Sequence, residues 1–196
     1  GFLSAQTGDY PMGLIDIDHA IRISPTNHDA YFKKAHAHIG LDQTSLALEN
    51  LDKAITLAPL NSDYIYSRGL LKNQLKDYAS AILDFTISMN LNTDYNRVRP
   101  SVHHVDPRHA KPLVGRGMAY FLNGQMKALL DPDGLEVDRW LSVYLGALDD
   151  GNEALKLLER QFDTPEWDYY QPTIDLQLSD VHQLLGDIYS ALERPE

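Results

Sequence analysis

The chain contains no cysteine. That absence excludes disulfide bridges, thiolate metal sites and cysteine nucleophiles, and it leaves the redox compartment open. Long apolar runs are missing too. Nothing approaches the roughly 18 residues that cross a bilayer, and the opening GFLSAQTGDY has no basic segment ahead of an apolar one, so direct membrane insertion is not expected. Cations are scarce: 17 Lys and Arg against 28 Asp and Glu give a formal net charge of −11. A nucleic-acid backbone or an anionic lipid surface would be repelled. Neither a P-loop nor a GxSxG elbow occurs, and the carboxylates are scattered over expected solvent faces, so no catalytic set stands out.

What the chain does have is a core and a period. Of its 196 residues 43% are hydrophobic, as in ordinary globular proteins. HAIRISPTN, His19 to Asn27, is written again as KAITLAPLN, Lys53 to Asn61, with Ala, Ile, Pro and Asn at the same offsets. Ala20 and Ala54 are 34 apart, as are Pro25 and Pro59, and the same step links Ile17, Leu51 and Phe85. Further columns are Leu14, Leu48 and Ile82, and Gly13, Ala47 and Ala81. Several columns keeping one interval require a repeated structural unit.

Within a copy the apolar spacing is helical. Ala47, Leu48, Leu51, Ala54, Ile55 and Leu57 form one buried stripe, preceded by a helix over Tyr31–Leu41 and a break near Asp42. Pro25 and Pro59 stop the second helix of their copies, because proline lacks an amide hydrogen and clashes with helical backbone. Each copy is thus a helical hairpin. Arg68 and Asp84 fall on facing positions of one copy, which predicts an ion pair between them.

These residues resemble the tetratricopeptide repeat, a 34-residue helical hairpin. Its signature positions are filled by Tyr31, Lys34, Ala35, His38, Ala47, Leu51, Ala54 and Pro59 in residues 28–61, and by Ile65, Arg68, Gly69, Lys72, Ala81, Phe85, Ser88 and Thr93 in residues 62–95. Lys34, His38, Lys72 and Thr93 depart from the usual types. The resemblance implies an all-α fold, a right-handed superhelix (α-solenoid) of stacked antiparallel hairpins. Residues 1–95 are expected to hold the regular repeats, opening with the second helix of one copy, and 96–109 an insertion loop. Residues 110–196 should hold degenerate hairpins in the same continuous domain. There Arg116 and Gly117 match Arg68 and Gly69. DPDG after Leu130 should cut one helix short, two helices should meet at Gly151, and DTPEWDYYQPTID should be a loop before a helix with Leu185, Gly186 and Tyr189 at signature positions. Both ends of the sequence fall inside a copy, which suggests an excerpt of a longer solenoid with flanking repeats, self-association through the ends, or fraying.

In this family the first helix of each repeat lines a concave groove for a peptide or helix of another protein. Carried over, the groove residues are Phe32, Lys33, His36, Tyr66, Leu70, Asn73, Val114, Met118 and Phe121. Asp29 and Asp63 stand where cations would clamp an acidic peptide terminus, so apolar or aromatic anchors suit this groove better. The expectation is a noncatalytic protein-interaction scaffold without cofactor or bound metal, cytoplasmic, with a periplasmic or envelope-associated setting as the alternative. The alternative function is a regulatory or substrate-recruiting segment of a larger enzyme or of a bacterial envelope lipoprotein with such repeats.

Four motifs invite a chemical reading, and packing or solvation accounts for each better. His103, His104, Asp106 and His109 are acceptable zinc, nickel or copper ligands, but their spacing is not diagnostic, and a solvated basic loop with Arg97, Arg99, Arg108 and Lys111 is preferred. His36 and His38 are two apart on a helix and cannot share a metal. GRGMAY lacks the third glycine and the strand of a dinucleotide loop, and Asp131, Asp133 and Gly134 do not fit a calcium loop.

Overall fold

The computed structural model describes residues 10–98, 110–130, 137–159 and 167–192, and these are helical apart from short turns. The helices are α1 (Tyr10–Ile23), α2 (His28–Gly40), α3 (Thr44–Leu57), α4 (Ser62–Gln74), α5 (Tyr78–Val98), α6 (Ala110–Leu129), α7 (Val137–Glu159) and α8 (Trp167–Leu192). They divide into two compact units, residues 1–71 and 72–196, with the boundary inside α4.

The recurring SPTN and APLN segments do the same two jobs. Each proline lies just beyond a helix end, at Ile23 and Leu57, and each asparagine starts the next helix. Asn27 Oδ1 accepts from the Ala30 amide at 3.1 Å, and Asn61 Oδ1 accepts from the Asp63 amide at 3.1 Å. Such caps contribute about 1 kcal/mol each. Thr93, in the column of the closing prolines, does not stop its helix, and α5 runs on to Val98.

The turn inside each hairpin also repeats. Asp42 and Lys76, one period apart, have φ of 56° and 63°. The next amides, of Gln43 and Asp77, donate back to the carbonyls of His38 and Lys72 at 2.9 and 3.0 Å. This is the left-handed closure that ends helices, and glycine adopts it without the steric cost that a lysine bears.

In the first unit α2 packs on α1 and α3. Ala35, Ala47 and Leu51 are fully buried and Leu71 nearly so, with Phe32, Ile39 and Leu48 around them. In the second unit α6 packs against α5, α7 and α8, over one cluster of Leu113, Ala154, Leu158, Val181 and Leu185 and another of Phe121, Tyr144, Ala147, Leu184 and Ile188.

Three of the polar departures, Lys34, His38 and Lys72, are matched. His38 is buried and its Nδ1 donates to Gln43 Oε1 at 2.7 Å. Lys72, one period later, reaches the buried Asp84 at 2.8 Å. Lys34 pairs with Asp18 at 2.6 Å and Arg68 with Asp52 at 2.7 Å. Both ends of that pair step by 34, so a first helix is tied to the preceding second helix at a repeated place. The next members of the two columns are Arg116 and Thr86, and Arg116 Nη1 donates to Thr86 Oγ1 at 3.2 Å. Arg68 and Asp84 belong to different units, and each has a partner within its own: Asp52 for one, Lys72 for the other.

The second half corrects several expectations. No break occurs at Gly151. Helix α7 is continuous over 23 residues, and Gly151 is kept small because a Cβ there would meet Leu185 Cδ2 at 2.8 Å. Residues 110–129 form one helix, not a first helix and a clipped second one, with Pro112 tolerated in its first turn, where amides lack intrahelical partners. Helix α8 begins at Trp167, so Pro172 lies within it and not in a loop. A Cβ on Gly186 would meet nothing within 4 Å, unlike one on Gly40, which would run into the Tyr10 ring. The DPDG turn and the histidine segment with His103, His104, Asp106 and His109 lie outside the described residues.

Three substitutions test these placements by urea denaturation. Gly40→Ala should cost about 1–3 kcal/mol by displacing Tyr10. Gly186→Ala, with open space around it, should gain about 0.5–1 kcal/mol of helix propensity. Lys76→Gly should also stabilise, by about 0.5–1 kcal/mol, through relief of the left-handed backbone. Equal losses at Gly40 and Gly186 would contradict the packing described.

Candidate functional site

In the first unit, two first helices present one surface. Asp29, Lys33 and His36 lie on one face of α2, and Asp63, Ser67 and Leu70 on one face of α4, at the four- and three-residue steps that align helix side chains. Phe32 and Tyr64 join the two helices, their rings 4.5 Å apart, and the Tyr64 hydroxyl is 2.8 Å from His28 Nδ1. His36 meets the edge of Phe32 at 4.5 Å. Desolvation beside that ring lowers the imidazole pKa below its ordinary value, although the side chain keeps an open outer edge. The Tyr64 phenol is pushed up, first by burial and then by the Asp29 and Asp63 carboxylates. Lys33 is held by Asp29 one turn back. Leu70 is 40% exposed, and Tyr66 is half-buried.

Asn73 belongs to the second unit and keeps its Oδ1 buried with no hydrogen-bond partner. The other expected residues of that unit, Val114, Met118 and Phe121, are largely committed to packing. Val114 lies against the Leu113–Leu158 cluster. Phe121 is 5% exposed and sits 5.6 Å from the Tyr144 ring, so it is a core residue that shows only an edge. That edge lines a cleft of about 440 Å³ between α6 and α8, with Met118, Leu122 and Gln125 on one wall and Gln183, Asp187, Ser190 and Ala191 on the other. The α8 wall carries no signal in the sequence, because the 34-residue period that pairs one helix with another is interrupted after Tyr95.

A second cleft, of about 720 Å³, opens between α5, α6 and α7 and is lined by Met89, Leu113, Asn152, Glu153 and Lys156. At its floor Arg116 Nε and Nη2 donate to the two oxygens of the buried Asp150 at 2.8 and 2.7 Å. These bonds raise the Arg116 pKa further, against the effect of burial. With Thr86 as its third acceptor, the guanidinium is matched and acts as a structural clamp. No group of three or more His, Asp or Glu side chains suited to a metal occurs among the described residues. No helix among them is long and apolar enough to cross a membrane.

Comparison with known proteins agrees with this geometry. Residues 28–59 match the family model of the tetratricopeptide repeat. A stretch of 50 residues is 46% identical to serine/threonine-protein phosphatase T of Trypanosoma brucei brucei, covering 26% of this chain and only 11% of that protein. Among solved structures, one of MamA aligns over 97% of this chain and 92% of that one at 15% identity and a TM-score of 0.52. A tetratricopeptide repeat protein from Parabacteroides merdae aligns over 96% and 81% at 18% identity and a TM-score of 0.50. At such identities the likeness is one of fold. The hairpins, their ties and their turns define an all-α repeat protein. The match to a tetratricopeptide repeat is confined to residues 28–59, and beyond them the likeness to such proteins is one of fold.

Two measurements check the electrostatics. Asp150→Ala should cost about 3–5 kcal/mol by stranding the Arg116 charge, whereas Arg116→Met with Asp150→Leu should recover most of that loss. By NMR titration the His36 ring should protonate below the ordinary histidine value of 6.5. Because the fold disfavours its charged form, His36 contributes stability that is complete above pH about 6.5 and is lost as pH falls from there through the lowered folded-state value, and His36→Gln should flatten this loss.

Proposed function

We propose that this chain is a noncatalytic binding module whose first helices take up a peptide or helix of a partner protein. The observation that carries the reading is the surface built by α2 and α4. There Leu70 remains 40% exposed, beside the half-buried Phe32 and Tyr66 and the open edge of His36. Rings fixed by one another lose little freedom on binding, and each large apolar side chain buried by a partner contributes about 1.5–3 kcal/mol. Three such anchors support an affinity near micromolar, about −8 kcal/mol, after the cost of association. Met118 and Leu122 offer the same kind of surface in the second unit.

A second reading has one observation in its favour. The 50-residue match to a phosphatase supports a role for such a repeat pair as the recruiting segment of a larger enzyme. In both readings the contacts are those of a binding surface.

Peptides selected from a random 12-residue display library against the 196-residue chain provide the test. Leu70→Lys should weaken the enriched peptides that map to the first unit about tenfold or more, with an unchanged circular dichroism spectrum. Phe32→Ala is the less clean variant, because Phe32 also supports the Ala35–Leu51 cluster. Enriched peptides indifferent to Leu70→Lys, and to Met118→Lys in the second unit, would refute the groove reading.

A further inference from the structure

The cleft between α6 and α8 has two chemically different walls. On α6, Met118, Leu122 and the edge of Phe121 are apolar, whereas on α8 Gln183, Asp187 and Ser190 stand at the three- and four-residue steps of one helix face. Asp187 is exposed, and no lysine or arginine among the described residues pairs with it. Two buried or half-buried cations of the same unit, by contrast, are paired, Lys72 with Asp84 and Arg116 with Asp150. The cleft therefore holds an acceptor-rich, negatively charged wall opposite an oily one, in a chain of net charge −11 whose field favours approaching cations.

We infer that the α6–α8 cleft selects a partner segment that is apolar and basic. One aliphatic or aromatic side chain lies on Met118 and Leu122, and an arginine or lysine about one helical turn along meets Asp187, with Gln183 and Ser190 free to bond the remaining donors. The inference rests on the binding role proposed above and gives it a ligand chemistry. The first unit carries an independent parallel. Asp63, on the face that presents Leu70, is likewise exposed, and no cation among the described residues is paired with it, so an acidic ligand would be disfavoured there too. A cleft of about 440 Å³ lies at the small end of ligand-sized sites and suits a few side chains of a peptide rather than a whole folded surface.

The test uses the full 196-residue chain and three fluorescein-labelled 12-residue peptides, read by anisotropy. All carry leucine and phenylalanine one turn apart. The first adds arginines at the neighbouring turns, the second glutamates, and the third glutamines. The arginine peptide should bind tightest and lose affinity with added salt. Asp187→Asn should weaken it about three- to fivefold without affecting the glutamine peptide, and Asp187→Lys should shift the preference toward the glutamate peptide. As Asp187 is exposed, neither variant should alter the fold. Arginine-peptide binding unchanged by both variants, or equal binding of the glutamate peptide to the wild type, would overturn the inference while leaving the binding role standing. Failure of all three peptides, together with no display-selected peptide sensitive to Leu70→Lys or Met118→Lys, would overturn both.

Discussion

The constraint on which the fold depends is how closely two helices approach within a hairpin. Ala35 and Ala47 are fully buried together with Leu51, and a side chain larger than a methyl at either alanine would push α2 and α3 apart. The same demand reappears in the second unit with glycine in place of alanine. A Cβ on Gly115 would meet the Phe85 ring at 2.7 Å, and one on Gly124 the Tyr144 ring at 3.0 Å. Small residues thus set the interhelical distance, and the large side chains of the clusters fill what that distance leaves.

Ordering along the chain comes from charge. The Lys34–Asp18 and Arg68–Asp52 ties are partly exposed, so each contributes at most about 1 kcal/mol. Their recurrence at one place gives them a role in register, since each joins a first helix to the second helix before it. Arg116 makes the corresponding reach to a hydroxyl and turns its charge to Asp150 instead. Such pairing neutralises Lys34, Arg68 and Arg116, whereas Asp63 and Asp187 have no cation paired with them among the described residues.

The first unit was legible from the sequence because its period is intact. Ala20 with Ala54 and Pro25 with Pro59 located the helices and their ends, and the Asn27 and Asn61 caps were visible as recurring letters before their hydrogen bonds were known. Legibility failed where local signals competed with packing. Gly151 and Pro172 read as breaks, yet Gly151 serves contact with Leu185, and Pro172 sits in a helix 26 residues long. Phe121 occupied a groove position by register, but Tyr144, whose place depended on a helix the pattern had split, drew it into the core. The α8 wall of the cleft was hidden for the same reason.

The exchange of a carboxylate for a hydroxyl at Thr86 decides where the array can grow by duplication. A spare copy of residues 28–61 spliced in after Asn61 would find matching charges at both seams: its own Lys34 would meet Asp52, and its own Asp52 would meet Arg68. The same copy spliced in ahead of Ala110 would leave a lysine against the Thr86 hydroxyl and crowd a second carboxylate onto a guanidinium that Asp150 already satisfies. One junction is open to lengthening, and the other has specialised past it.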